Sequence, residues 1–254
     1  MENRDNRFRL IYIIIYVLCI FLIGSLFSLL FGLIVASIRG VSASGVINAM
    51  VKSNNYTTAE LDAANAAQGY GNAFSYLLCF ISAIFLMKAD LKNDFIELKN
   101  NKKFYSIYTA IVAPIFVGLA FLLSYLVGLG VKESTNQETV ATIMRTNALV
   151  PMIISTAIFA PFVEEFIYRK CVFHFTSRLR IYFRYIISIV LFVFPHVITS
   201  IGKFNAGEFM LMMIPYVVDA FMLALIYHKG KYNVYVSFVC HMLNNVLAII
   251  LLFV

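Results

Sequence analysis

The unbroken apolar run from Leu10 to Ile38 most narrows what this chain can fold into. A helix needs about 20 apolar residues to cross the hydrocarbon core of a bilayer, and backbone at that depth must be helical or part of a closed barrel. Six more runs follow, at roughly 70–87, 104–130, 147–173, 185–201, 209–227 and 233–254, the first of these short for a crossing and open to an earlier start. Hydrophobic residues make up 61% of the chain and charged residues 13%, against about 45–50% and about 25% in soluble domains. The expected fold is all-α: a polytopic transmembrane helix bundle of about seven spans, or eight with a re-entrant or interfacial helix. The basic start MENRDNRFRL and the VSA near Ala43 resemble a signal peptide. Signal cores are only about 7–15 residues long, so the run reads as an uncleaved first span.

The net charge of +7 carries no nucleic-acid signature, because Lys and Arg sit in short loops with no basic stripe and no zinc-finger spacing. No nucleic-acid partner is expected. Topology explains the positives better. With the N-terminus in the cytoplasm, the inner segments hold Arg4, Arg7, Arg9, Lys88, Lys92, Lys99, Lys102 and Lys103, then Lys170, Arg178, Arg180, Arg184, Lys229 and Lys231. The outer ones hold Arg39, Lys52, Lys132, Arg145 and Lys203. An integral protein of a bacterial plasma membrane is expected. Cys19, Cys79, Cys171 and Cys240 have no paired spacing and read as reduced packing residues. The polar stretch 41–69 reads as an outer loop with a short amphipathic helix near 57–67, and the Lys-rich 88–103 as an ordinary connection. The chain divides into N-terminal spans (1–133) and a core (134–254), one integral membrane domain overall.

Ionisable groups inside apolar runs are expensive and mark function. The stretch APFVEEFIYRK places Glu164, Glu165 and Arg169 in the fourth run. His196 lies in the fifth, and His241 and Asn245 in the seventh. At about 1.5 Å of rise per residue, Glu164 is ~21 Å from Arg178, His196 ~18 Å from Arg184, and His241 and Asn245 ~15 and ~21 Å from Lys231. Three helices thus bring polar groups to a common depth, as a water-filled cavity requires. Glu165 and Arg169 are four apart and can pair on one face, leaving Glu164, about 100° around the helix, for the cavity. Pro161 and Pro195 free backbone carbonyls and bend their helices. Glu164 can act as general base on a water, with His196 positioning it and sharing its proton. His241 and Asn245 can donate to an oxyanion. Asp219, at similar depth in the sixth run, reads as a polar partner within the bundle.

EEFIYR, FVFPH (Phe192 to His196) and HMLNN (His241 to Asn245) occur in this order on three spans. Together they resemble the CPBP family of intramembrane proteases, also called the Abi or type II CAAX prenyl endopeptidase family. The resemblance covers about residues 134–254, including Asn136 and the Ala-Pro before the glutamates. It implies an all-α bundle, a glutamate-activated water, and endopeptidase activity on peptides or lipidated proteins. Some bacterial relatives are linked to peptide processing or bacteriocin self-immunity. The family is often labelled metalloprotease, and Glu164, His196 and His241 offer a two-His, one-carboxylate set for Zn2+. Resemblance to the prenyl-protein endopeptidases favours a metal-independent mechanism, so no cofactor is favoured. Expected partners are a peptide or protein substrate and membrane lipid; the sequence does not show the oligomeric state. The alternative is a non-catalytic peptide-binding immunity factor or a proton-coupled transporter using the same cavity.

Overall fold

A computed structural model describes residues 2–53, 55–130 and 134–253. Lys132 among the outer positives, residue 133 at the edge of the two-part division, and the last residue of the seventh run lie outside the described residues. Seven described helices are long and apolar enough to cross a membrane: Asp5–Arg39, Thr58–Leu86, Lys102–Gly128, Leu149–Phe175, Ile181–Ser200, Ala206–Lys229 and Val234–Leu251. They are called the first to seventh spans. Shorter helices cover Ala43–Met50, Lys88–Asn100 and Thr135–Ile143. The described residues contain no strand, so the fold is the expected all-helical bundle.

Local chemistry sets most of the span ends. Gly40, at φ 64°, closes the first span in the left-handed conformation that glycine adopts without a Cβ clash. Capping boxes start the second span at Thr57 with Glu60, and the sixth at Asn205 with Glu208. Asn233 caps the seventh by accepting from the Tyr235 N–H.

Two expectations need correcting. The stretch 41–69 is not an open loop with a small helix. It contains the helix Ala43–Met50 and the first turns of a 29-residue second span that begins at Thr58. Those turns are rich in alanine and glycine, and Ala63, Ala64, Ala66, Ala67, Gly69 and Gly71 are all buried. Small residues let helix backbones approach, which drives packing in a membrane without raising hydropathy. A Cβ at Gly71 would lie 2.6 Å from the Ser28 backbone nitrogen on the first span. Nor is 88–103 a plain connection. Lys88–Asn100 is a helix whose buried Asp94 accepts from Lys170 Nζ (2.6 Å) and from the Val234 N–H (2.9 Å). The Asp94 carbonyl accepts from Asn233 Nδ2 at 2.8 Å.

The fourth span is the axis of the bundle. In its most apolar window 61% of residues are buried, against 17–33% in the other spans. Near its end, Arg9 of the first span pairs with Asp90 (2.7 Å), and Lys170 pairs with Asp94. Lys170 Nζ also donates to the Tyr232 carbonyl just after the sixth span (3.2 Å), so these contacts gather the start of the first span and the ends of the second, fourth and sixth at one end of the bundle. That is the alternation seven passes require.

Candidate active site

The fourth span is not a uniform α-helix. Two π-helical turns, Ser155–Phe159 and Phe166–Cys171, flank the α-helical Ala160–Glu165 that carries the glutamates. Such turns inside α-helices are frequent at functional sites. Pro161 accounts for the first. In the π turn the Ala160 N–H bonds back to the Ser155 carbonyl. The Thr156 carbonyl thereby loses its α-helical donor, and Pro161, its π-helical donor position, has no N–H. Asn245 Nδ2 supplies the missing bond, donating to the Thr156 carbonyl at 2.9 Å from the seventh span.

The two glutamates are buried and differently paired. Glu165 Oε2 lies 3.2 Å from Arg169 Nε, with both side chains 0% exposed. The contact is an ion pair without hydrogen-bond alignment. Arg169 is held further by Ser188 Oγ (2.7 Å), the Ala220 carbonyl (3.4 Å) and the face of Phe192 (5.1 Å). Glu164 has no Arg or Lys partner among the described residues. Its Oε1 accepts from the Tyr76 hydroxyl at 2.8 Å, and its Oε2 lies 3.9 Å from His241 Nε2. His241 joins the two carboxylates, because its Nδ1 is 3.2 Å from Glu165 Oε1.

His196 stands apart from this group. Its Nδ1 is 2.8 Å from the Phe192 carbonyl. A carbonyl only accepts, so Nδ1 carries a proton and donates it. The Phe192 ring stacks on His196 (4.9 Å between centroids) and also packs against His241 (5.7 Å). Phe192 is therefore the shared neighbour of the two imidazoles. Asp219 Oδ2 accepts from Asn244 Nδ2 at a long 3.5 Å, and its Oδ1 is buried without a hydrogen-bond partner among the described residues.

The structure thus brings Glu164, Glu165, Arg169 and His241 into one cluster and places His196 one aromatic ring away. It engages the Asn245 amide with backbone. Among the described residues no three His, Cys, Asp or Glu side chains are grouped to hold a metal ion. His241 meets both glutamates, whereas His196 stands across the Phe192 ring from them. As arranged here, Glu164, His196 and His241 do not form the three-ligand set that Zn2+ requires.

Sequence reasoning missed Tyr76 on the second span. It also missed a second hydroxyl contact, Tyr16 to Tyr168 at 2.7 Å, which ties the first span to the fourth beside the glutamates. A lone tyrosine in an apolar run gives no signal among 15 of them.

The fold is a helical membrane bundle with a buried carboxylate pair, an arginine and an imidazole at its axis. Residues 146–247 match the family model described as type II CAAX prenyl endopeptidase Rce1-like. The match supports the CPBP/CAAX protease family for this region, and the seven apolar helices make the chain an integral membrane protein. Comparison with curated proteins and with solved structures finds no match.

Proposed function

We propose that this protein is an endopeptidase that cuts a peptide bond with a water activated by Glu164. The observation that supports this is the unequal pairing of the glutamates. Glu165 is matched to a buried arginine, whereas Glu164 meets a tyrosine hydroxyl and an imidazole. The second carboxylate therefore remains available to a substrate water. The 3.9 Å between Glu164 Oε2 and His241 Nε2 is too long for a direct hydrogen bond and suits a bridging water.

In this mechanism the water oxygen attacks the scissile carbonyl carbon as Glu164 takes its proton. The tetrahedral oxyanion then collapses, the C–N bond breaks, and Glu164 returns the proton to the leaving amine. Glu165 anchors His241 through Nδ1, so that Nε2 faces the water; the doubly protonated ring is the form that donates from Nε2 to the developing oxyanion. In its neutral form His196 presents its Nε2 lone pair from across Phe192 and orients the water. Asn245, bonded to Thr156, maintains the irregular helix and leaves oxyanion contact to His241. No step needs a metal.

The substrate is a peptide or lipidated protein cut near the cytoplasmic leaflet of a bacterial plasma membrane, in peptide maturation or bacteriocin self-immunity. The family match and the positive residues of the inner segments support this reading. Comparative peptidomics tests it: cells with the intact protein against cells with Glu164→Ala at matched membrane levels. New peptide termini are expected only with the intact protein. Identical termini, together with a phenotype that Glu164→Ala still rescues, would replace catalysis by peptide binding.

A further inference from the structure

At the bundle end where the first, fourth and fifth spans meet the loop after the sixth lies a cavity of about 320 Å³ whose lining does not include the glutamates. Its floor is aromatic and buried, with Phe173 1% and Tyr227 3% exposed. Its rim includes the exposed Ser177 and Tyr232. Three cations, Arg9, Lys170 and Arg184, and one carboxylate, Asp90, line it.

Their pairing is uneven. Arg9 is matched by Asp90 and Lys170 by Asp94. No carboxylate pairs with Arg184 among the described residues. Its guanidinium is held over the rings of Phe173 (5.0 Å) and Tyr232 (5.5 Å) and donates to the Phe173 carbonyl at 3.0 Å. Its Nε has no hydrogen-bond partner among the described residues. A fixed, uncompensated guanidinium in an aromatic-walled cavity, with two more cations beside it, is built for an oxyanion. Arginine's planar fork matches phosphate geometry in particular.

We propose that this cavity binds a phosphate group through Arg184, with Lys170 and Arg9 adding charge. The inference does not depend on Glu164 chemistry. The group can come from an anionic lipid headgroup, since basic pockets between spans take such headgroups on the cytoplasmic side. It can also come from a soluble phosphate.

The purified full-length protein in nanodiscs distinguishes the sources. The four cysteines are buried, so a thiol-reactive dye reports unfolding. One arm adds inorganic phosphate, against chloride at equal ionic strength, to phosphatidylcholine nanodiscs. The other replaces phosphatidylcholine by phosphatidylglycerol in steps. Saturable stabilisation of about 5 °C is expected near hundredfold saturation in at least one arm. A rise with phosphate assigns a soluble ligand, and a rise with phosphatidylglycerol alone assigns the headgroup. Arg184→Gln should remove the rise and Arg184→Lys should retain part of it. Ser177→Asp, an exposed rim change that leaves the packing intact, should also remove it, and Arg180→Gln should not. No saturable rise in either arm, or an equal rise in wild type and Ser177→Asp, overturns the proposal.

Discussion

Adjacent glutamates on one helix meet different surroundings here, and the difference decides what each substitution should do. Glu165 and Arg169 are fully buried against each other. Removing the carboxylate strands a buried guanidinium, which costs about 3–5 kcal/mol. Glu165→Gln should therefore lower the unfolding midpoint of the detergent-solubilised protein markedly. Glu164→Gln should leave that midpoint nearly unchanged and lower kcat by about 10²–10⁴, the contribution of a general base. The pair of measurements separates a structural from a chemical carboxylate, and equal destabilisation by both would make Glu164 structural too. Tyr76→Phe removes one hydroxyl from Glu164 Oε1 and leaves packing unaltered. A loss of about 1–1.5 kcal/mol of positioning corresponds to roughly tenfold in kcat, read as kcat against KM on a cleaved peptide. The charged residues of this cluster were legible in the sequence because a charge inside an apolar run stands out against its surroundings. Tyr76 was not, because a hydroxyl tip on an aromatic ring is ordinary in such a run.

Within the fourth span, irregularity follows from one residue. Pro161 removes a donor, the Thr156 carbonyl loses its helical partner, and Asn245 replaces it from another helix. The HMLNN asparagine was read as an oxyanion donor, because sequence shows spacing on its own helix and not which backbone group a proline frees on a neighbour. The structural role makes a coupled prediction. Asn245→Ala should destabilise by about 1–3 kcal/mol, the cost of an unpaired buried carbonyl. In the Pro161→Ala background the restored N–H can serve Thr156, so the same change should cost less. A double-mutant cycle on unfolding free energies should show coupling of about 0.5–3 kcal/mol. Strict additivity, with kcat lost and stability unchanged, would return Asn245 to the oxyanion. The second span teaches a related lesson. Its start was read as loop because alanine, glycine and asparagine carry little hydropathy, yet those residues are what let it press against the first span at Gly71.

At the scale of the whole molecule, the N-terminal spans reach the candidate site in addition to crossing the membrane. Tyr76 reaches Glu164, Tyr16 reaches Tyr168, and Phe80 packs on Phe159 and Phe162 just before the glutamates. Asp94 fastens the helix Lys88–Asn100 to Lys170 and to the start of the seventh span. Sequence could place the seven crossings, since apolar length alone sets them. It could not show this docking, because a lysine-rich amphipathic helix and a lysine-rich loop look alike until a buried acceptor is located. Burial pushes the Asp94 carboxyl above its ordinary range, with Lys170 opposing. A raised folded-state pKa means that the folded protein holds the proton more tightly than the unfolded chain does. Ionisation of Asp94 therefore removes stability as pH rises above about 4, the unfolded carboxylate value. Asp94→Asn keeps an acceptor for the Val234 N–H and discards the buried charge; Asp94→Ala loses both. The alanine variant should unfold more readily by about 2–4 kcal/mol, and limited proteolysis should cut it between residues 88 and 103. The asparagine variant should stay close to wild type at neutral pH, and wild type should gain on it as the pH is lowered. Equal loss in both variants at every pH would mean that the charge itself, paired with Lys170, holds the two halves together.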